Sequence, residues 1–398
     1  MGGITCWPQS LSSEVRRRVN EEIAAGTFPT TRPPALFPMW RKGEYYANAT
    51  RIPGDCTDAW DLTNGEIEGR RQVMALLEWL RANAPGYEHA FLLSSAPQVG
   101  LRESRRLKGL YTLTRADILG YADFPDHIAR GAYAIDIHQP GQGTEMTYLD
   151  PGRSYGIPYR SLYSRNVPNL FFAGRNISVT HAALSSTRVM ATCAVIGQAV
   201  GTAAALATRE KCLPADLAGA GVRELQQTLL DDDCYLPWLR RDIPALAQRA
   251  ALAAAAGDPA ALRNGVDRPV GETGNDFVCA LDSGWVEYRL PEPAAIARTR
   301  LVFDSNLNRN GTSCHYNIRS SYPLNAPANG MPGTLVRAFR IEARTDEGQW
   351  RTVAQVTDNR RRMVRLPLDV TTDALRLVPE TLWDDAATEA RLFAWDIA

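Results

Sequence analysis

Hydrophobic and polar positions recur with helical period through the first part of the chain and with strand period through its last third. The run "SSEVRRRVNEEIAAG" predicts a helix opened by a serine cap and closed by Gly26. After the proline-rich "FPTTRPPALFP", the run "DLTNGEIEGRRQVMALLEWLRANAPG" predicts a second helix. Thr63 and Glu66 stand in capping-box spacing, Ile67, Met74, Leu77 and Leu80 mark its apolar face, and Pro85-Gly86 end it. "AFLLSSAPQVGLRESRRLKGLYTLTRADIL" reads as strand, turn, strand and then a helix from Thr114. "GAYAIDIHQPG" and "NLFFAGR" read as short strands, the second leading into a long helix of small residues. Residues 215–255 are alanine-rich and read as helical, with "AALAAAAGDPAALRNG" as a linker or helix end.

Beyond about Gly265 the helical period is lost. "WVEYRL", "RTRLVFDS", "AFRIEART", "RTVAQVT", "RMVRLPL", "ALRLVPE" and "RLFAWDI" alternate in strand fashion between Gly, Pro, Asn and Asp, which predicts an all-β sandwich. The pattern places a domain boundary near 256–264, and 398 residues suffice for two or three domains.

Charge narrows the classes of partner. The 44 basic and 44 acidic side chains cancel, which argues against nucleic acid or an anionic membrane surface as the main target. The apolar stretch after Met190 is interrupted by Gln198 and ends at Arg209-Glu210-Lys211, so no run is expected to reach the length of a membrane span. The N-terminus lacks the pattern of a secretory signal. Seven scattered cysteines, Cys6, Cys56, Cys193, Cys212, Cys234, Cys279 and Cys314, form no C-x-x-C pair. They read as free thiols of a reducing, cytoplasmic setting, with neither a zinc site nor a cluster.

The segment "RNISVTHAALSSTRVMATCAVIGQAVGTAAALA" raises the functional question. Its pattern places a helix start near Ser186-Thr187, with Arg188 in the first turn, at the end of a strand. A helix N-terminus there suits an anion or an electron-rich carbonyl. Ala191, Ala194, Gly197, Ala199, Gly201, Ala203, Ala204 and Ala205 make the body smooth enough for close packing. Pattern alone leaves open whether this is a ligand-facing helix or a tightly packed core helix.

The run "YGIPYRSLYSRNVPNLFFAGRNISVTHAALSSTRVMATCAVIGQAVGTAAALA" resembles the C-terminal signature of FAD-dependent oxidoreductases related to the A component of heterodisulfide reductase. The resemblance continues through "NATRIPGDCTDAWDLTNGEIEGRRQV", "LRESRRLKGLYTLT" and "AYAIDIHQPG", covering roughly residues 40–235. It implies FAD as cofactor, with Ala173, Gly174 and Arg175 along the ribityl-diphosphate. It also implies Ser186, Thr187, Arg188, Val189 and Met190 at the helix start near the pyrimidine edge of the isoalloxazine. That edge gathers negative charge on reduction, which a helix N-terminus stabilises. The relatives' iron–sulfur clusters are not expected, because the cysteine spacing offers no ligand set.

Such proteins open with a strand and a G-x-G-x-x-G turn that holds the ADP half of FAD. Neither "MGGITC" nor "PGQGTEM" has that form. The expectation is a C-terminal flavoenzyme portion. A truncated gene model, a split enzyme with a separate dinucleotide-binding chain, and a homologue that has lost FAD are the competing explanations, the first being favoured.

Four residues carry the candidate chemistry. In "RESRRL" the charges either pair among themselves or, as the resemblance implies, Arg102 and Arg105 face the substrate side of the flavin. His181 and His138 are the candidates for general base or hydrogen-bond donor, each weighed against a structural role. Asp136 orients His138 if a turn brings the two together. Residues from about 262 onward, beginning "NGVDRPVGETGNDFVCALDSGWVEYRL", resemble galactose-binding-like, discoidin-type modules. Trp285, Arg268 and Asn306 are candidate ligand contacts there, although Trp285, at the start of an alternating strand, reads rather as core.

The expected architecture is thus a partial α/β (or α+β) FAD-dependent oxidoreductase fold followed by an all-β jelly-roll sandwich. Its expected regions are 1–165 (substrate or cap region), 166–212 (FAD-binding strand and helix), 213–261 (helical extension and linker) and 262–398 (β-sandwich). The expected activity is hydride transfer between an organic substrate, sugar- or polyol-like, and flavin. The alternative is a non-catalytic carbohydrate-binding or scaffold protein with a remnant flavoprotein fold.

Overall fold

The computed structural model describes residues 1–7, 11–39, 41–138, 144–306 and 331–398. Cys314 and the glycines of "PGQGTEM" lie outside the described residues. The chain divides into two compact units, residues 1–222 and, among the described remainder, 223–306 with 331–398.

In the first unit, α1 (Ser13–Ala25) has Ser12 as N-cap and Gly26 as C-cap, with φ +73° at the glycine, as the sequence predicts. The hairpin β1 (Ala35–Pro38) and β2 (Tyr45–Asn48) follows, then α2 (Ala59–Asn83). α2 begins earlier than its expected capping box. Asp58 caps it by accepting from the Trp60 and Asp61 amides, and Thr63 instead bonds back to the Ala59 carbonyl inside the helix. The face it buries is Leu76, Leu77 and Leu80, joined by Gln72, whereas Ile67 and Met74 are exposed. These leucines close a core with Val15, Val19, Tyr45 and Tyr87. Burying each such side chain contributes about 1.5–3 kcal/mol of transfer free energy.

Residues 91–113 form no strand, contrary to expectation. They are held by single bridges, Gly2 to Phe91 and Leu113 to Val179. The helix from Thr114 is short: α3 (Arg115–Leu119) carries a true capping box between Thr114 and Asp117. Two small antiparallel sheets follow. β3 (His127–Gly131) pairs with β6 (Tyr155–Pro158), and β4 (Ile135–His138) pairs with β5 (Thr144–Thr147). "NLFFAGR" is not a strand either: beyond one bridge from Tyr163 to Phe171 it runs extended and turns at Gly174, with φ +91°.

The small-residue helix is interrupted at its start. α4 (His181–Thr187) ends at Arg188, Val189 is extended, and α5 (Met190–Glu210) begins anew. Ser186-Thr187-Arg188 therefore closes a short helix and does not open the long one. α4 packs on β4, and α5 packs on β3. α5 buries one face (Thr192, Ile196, Ala199, Ala203, Leu206, Ala207), while Ala191, Ala194, Gly197 and Gly201 are exposed. By length and composition α5 could cross a membrane, with mean hydropathy 1.6 in its most apolar window, 33% of it buried. That corrects the expectation that no run reaches this length.

α6 (Ala220–Asp231) spans the division between the units. In the second unit come α7 (Ala245–Arg249), β7 (Ala251–Ala254), β8 (Phe277–Ala280), β9 (Val286–Phe303), β10 (Val336–Arg344), β11 (Trp350–Val356), β12 (Met363–Leu382) and β13 (Glu389–Ile397). All pairings are antiparallel, in the order β11-β10-β12-β9-β13-β8, with β7 also on β9.

The separate segments "WVEYRL" and "RTRLVFDS" are one strand, as are "RMVRLPL" and "ALRLVPE". Each is bent where the register shifts, around Pro291–Pro293 of β9 and between Pro367 and Ala374 of β12. Proline lacks the ladder N–H, so it sits where pairing lapses. Before the bend β9 pairs with β7, and after it with β13. This change of neighbour folds the sheet over a core of Tyr288, Phe303, Phe339 and Trp395. The supposed linker is built into this unit. Alanine-rich residues 251–254 form β7, because an open edge of β9 outweighs their helix propensity. Arg241, ahead of α7, lies buried against Asp396 (2.8 Å) and Asp267 (3.1 Å), with Arg300 2.8 Å from Asp267.

Candidate functional site

In β4 the residues alternate between buried Ile135 and Ile137 and half-buried Asp136 and His138. Side chains two apart share a face of a strand, so the acid and the imidazole meet without a turn. His138 Nε2 lies 3.0 Å from each Asp136 oxygen. On its far side, His138 Nδ1 lies 2.8 Å from Arg51 Nη2. A guanidinium only donates, so Nδ1 accepts and the proton sits on Nε2, donated to Asp136. Burial, then the Arg102 charge, holds this imidazole below its ordinary value despite Asp136.

Arg188, at the break between α4 and α5, reaches the same acid, its Nη2 3.0 Å from Oδ2 and 3.2 Å from the Asp136 carbonyl oxygen. Arg102 approaches Oδ2 at 3.9 Å. Burial, and then Arg188, push the Arg102 guanidinium below the ordinary arginine range. Arg32, in the proline-rich loop, is shifted the same way by burial and by the Arg51 charge. Arg188 and Arg102 thus approach one carboxylate directly, and Arg51 is joined to it through His138.

The other residues singled out from sequence are placed as follows. His181 Nδ1 stands 2.5 Å from Glu103 Oε2, and Glu103 also pairs with Arg106. Since a carboxylate accepts, His181 Nδ1 carries a proton and donates it to Glu103, on a side chain that is 61% exposed. Arg105 donates to the Thr57 carbonyl at 3.1 Å. Arg175 donates to the Leu101 carbonyl at 2.6 Å, from the turn containing Ala173 and Gly174. Ser186 donates to the Tyr133 carbonyl (2.6 Å) and meets the Tyr155 hydroxyl (2.7 Å). Thr187 is fully buried and its hydroxyl has no partner among the described residues. Val189 caps α5 with no side-chain hydrogen bond, and Met190 is exposed.

The arrangement brings Arg102, His138 and Arg188 together and sets His181 with Glu103. It also draws in Arg51 and Arg32, which local motifs do not mark. A signal exists for both: each is the lone charge of a long uncharged stretch, Arg51 between Glu44 and Asp55 and Arg32 between Glu22 and Arg41.

Residues 8–229 match the family model described as FAD dependent oxidoreductase. The chain belongs to this family. No curated protein matches it. Among solved structures, it is similar to chitosan-binding module 1 of a Paenibacillus sp. IK-5 chitosanase/glucanase, at 12% identity and TM-score 0.26, over 38% of this chain and 97% of that one. It is also similar to the family 32 carbohydrate-binding module of Streptococcus pneumoniae EndoD, at 14% identity and TM-score 0.25, over 39% and 97%. A third is the family 32 module of C. perfringens NanJ in complex with galactose, at 8% identity and TM-score 0.26, over 38% and 95%.

In the second unit two of the three candidate contacts have side-chain partners nearby. Trp285 is half-buried, with the Arg376 guanidinium 4.3 Å from its ring centre and 4.0 Å from that of Trp350. Arg268 pairs with Asp233 at 2.8 Å and lies over Tyr235, and Asn306 is exposed. The fully buried tryptophan is Trp395, whose Nε1 donates to Thr299 at 2.9 Å. Six cysteines among the described residues form no disulfide, and no group of three or more His, Cys, Asp or Glu side chains there could hold a metal.

Proposed function

We propose that this chain supplies the substrate side and the isoalloxazine edge of an FAD-dependent oxidoreductase acting on an organic alcohol. The observation that carries the reading is the meeting of Arg188, Asp136 and His138 at the interruption between α4 and α5, within the matched family region. The residues fit the flavin end of FAD. A Thr187 hydroxyl fully buried and without a partner among the described residues, an α5 start without a side-chain cap and an open turn at Gly174 would face its polar edges. They do not fit its ADP half, since the sequence has no G-x-G-x-x-G turn between strand and helix. That half would be held by a nucleotide-binding unit outside residues 1–398, on a partner chain or a longer form of this one. A kinship to the A component of heterodisulfide reductase within the family is part of the same proposal, as is a cytoplasmic setting for the free thiols.

Bound FAD would supply the hydride acceptor at N5. In this reading His181 acts as general base: Glu103 fixes Nδ1–H, leaving Nε2 to take the hydroxyl proton. Arg102 and His138 position the substrate, Arg105 braces the strand-like segment through Thr57, and Arg175 holds the Gly174 turn against Leu101. The α5 start at Val189 and Met190 offsets negative charge at the flavin edge, and Arg188 beside it serves both that edge and the substrate side.

The test is the visible spectrum of the full chain after incubation with FAD and desalting. Near-stoichiometric flavin bands support a site held by this chain. A colourless protein that also stays colourless with a G-x-G-x-x-G-bearing partner overturns the proposal.

A further inference from the structure

We infer that the arginine cluster around Asp136 binds the carboxylate of the substrate, so that the substrate is a hydroxy acid, such as a sugar acid, and not a neutral polyol. The hydroxyl part of this statement rests on the proposed oxidoreductase reading; the carboxylate part stands on the cluster alone.

Charge imbalance is the first ground. Arg102 and Arg188 gather about one carboxylate, Asp136, with Arg51 added through His138 and Arg32 close enough to feel the charges of Asp136 and Arg51. The guanidinium of Arg32 makes no hydrogen bond or ion pair with a described residue, although its surroundings are partly buried. Residues 8–10, 40, 139–143 and 307–330 contain no Asp or Glu, so the undescribed parts of the chain hold no carboxylate that could restore the balance. Like charges held together and partly desolvated repel, and an incoming anion relieves that repulsion.

The second ground is donor geometry. Asp136 occupies Arg188 through one amino group, Nη2. Arg102, at 3.9 Å, stands beyond hydrogen-bond distance of it and is 44% exposed. Planar guanidinium forks with open N–H groups match the two oxygens of a carboxylate. The third ground is His138. Its Nδ1 is taken by Arg51 and its proton faces Asp136, so the imidazole stays neutral and serves as a spacer between two charges. A cluster designed only to neutralise Asp136 would need one arginine.

The experiment is calorimetric titration of the full chain, without FAD, with D-gluconate, D-galacturonate, D-glucitol, D-galactose and inorganic phosphate. The two sugar acids are expected to bind saturably, at least about tenfold more tightly than the neutral sugars, and more weakly as salt rises. Arg102→Gln, at an exposed position that the fold tolerates, and Arg188→Gln are each expected to weaken gluconate at least about fivefold, with the circular dichroism spectrum unchanged. Equal binding of glucitol and gluconate, phosphate bound in preference to both acids, binding indifferent to Arg102→Gln, or no binding at all would each overturn the inference. Because the titration needs no flavin, its failure is separate from a failure to retain FAD.

Discussion

Arg51 donates to His138 across 87 positions of sequence, at 2.8 Å, and thereby decides which nitrogen of that ring carries the proton. His138 then titrates below the ordinary 6.5 because burial, Arg102 and Arg51 all disfavour its charged form. A depressed folded-state value means that the unfolded chain takes up the proton first as pH falls. The stability that this site contributes is therefore fully present above about 6.5 and lost as pH falls through the folded value. Arg51→Gln is expected to raise the His138 value, read from its imidazole proton shifts by NMR. An unchanged titration would mean that Arg51 does not set the ring's protonation.

Glu103→Gln keeps an oxygen able to accept from His181 Nδ1 while removing the carboxylate charge beside it. In the flavin-loaded enzyme, kcat is expected to fall about 10²-fold, and His181→Ala at least as far, with KM little changed. His138→Asn is expected to raise KM more than it lowers kcat. The reverse split between the two histidines would exchange their roles.

Val189→Thr keeps the side-chain shape and adds an acceptor at the uncapped start of α5, where φ −71° and ψ 149° already suit a cap. Thermal unfolding should report a gain of about 0.5–1 kcal/mol. FAD retention should drop in the same variant, since the new hydroxyl occupies amides offered to the flavin. A stabilised variant with undiminished FAD affinity would place the flavin elsewhere.

Asp396 makes a different pH signature in the second unit. Burial pushes its carboxyl up to about 6, against Arg241 and Arg300, which pull it down. With the folded value above the ordinary 3.8, the native state holds the proton longer. Its contribution to stability is thus fully present below 3.8 and is lost as pH rises through about 6, a span worth about 3 kcal/mol. Asp396→Asn should flatten that part of the stability-against-pH curve, measured by urea unfolding. A mutant curve parallel to the wild type between pH 4 and 7 would locate the dependence in another group.

Legibility differs between local and long-range features. The ends of α1 are readable because Ser12 and Gly26 act on the backbone a few residues away, and Thr114 is readable for the same reason. The interruption at Arg188–Val189 is not. "SSTRVM" carries neither glycine nor proline, and what holds Arg188 is an acid 52 positions earlier. Likewise β7 exists because β9 offers it an edge, which composition cannot show. Of the site, Arg102, Arg188 and His138 are visible through a family resemblance. Arg51 and Arg32 stand in the sequence only as isolated charges, a weak sign that gains meaning once the chain brings them together.

β9 lends the same edge to two strands in turn, β7 before Pro291 and β13 after Pro293. The two prolines act as a partition. Replacing both with threonine would restore the missing N–H groups and make the edge continuous, so β7 and β13 would compete to extend along it. The second unit would then have two strand registers to choose between where it now has one.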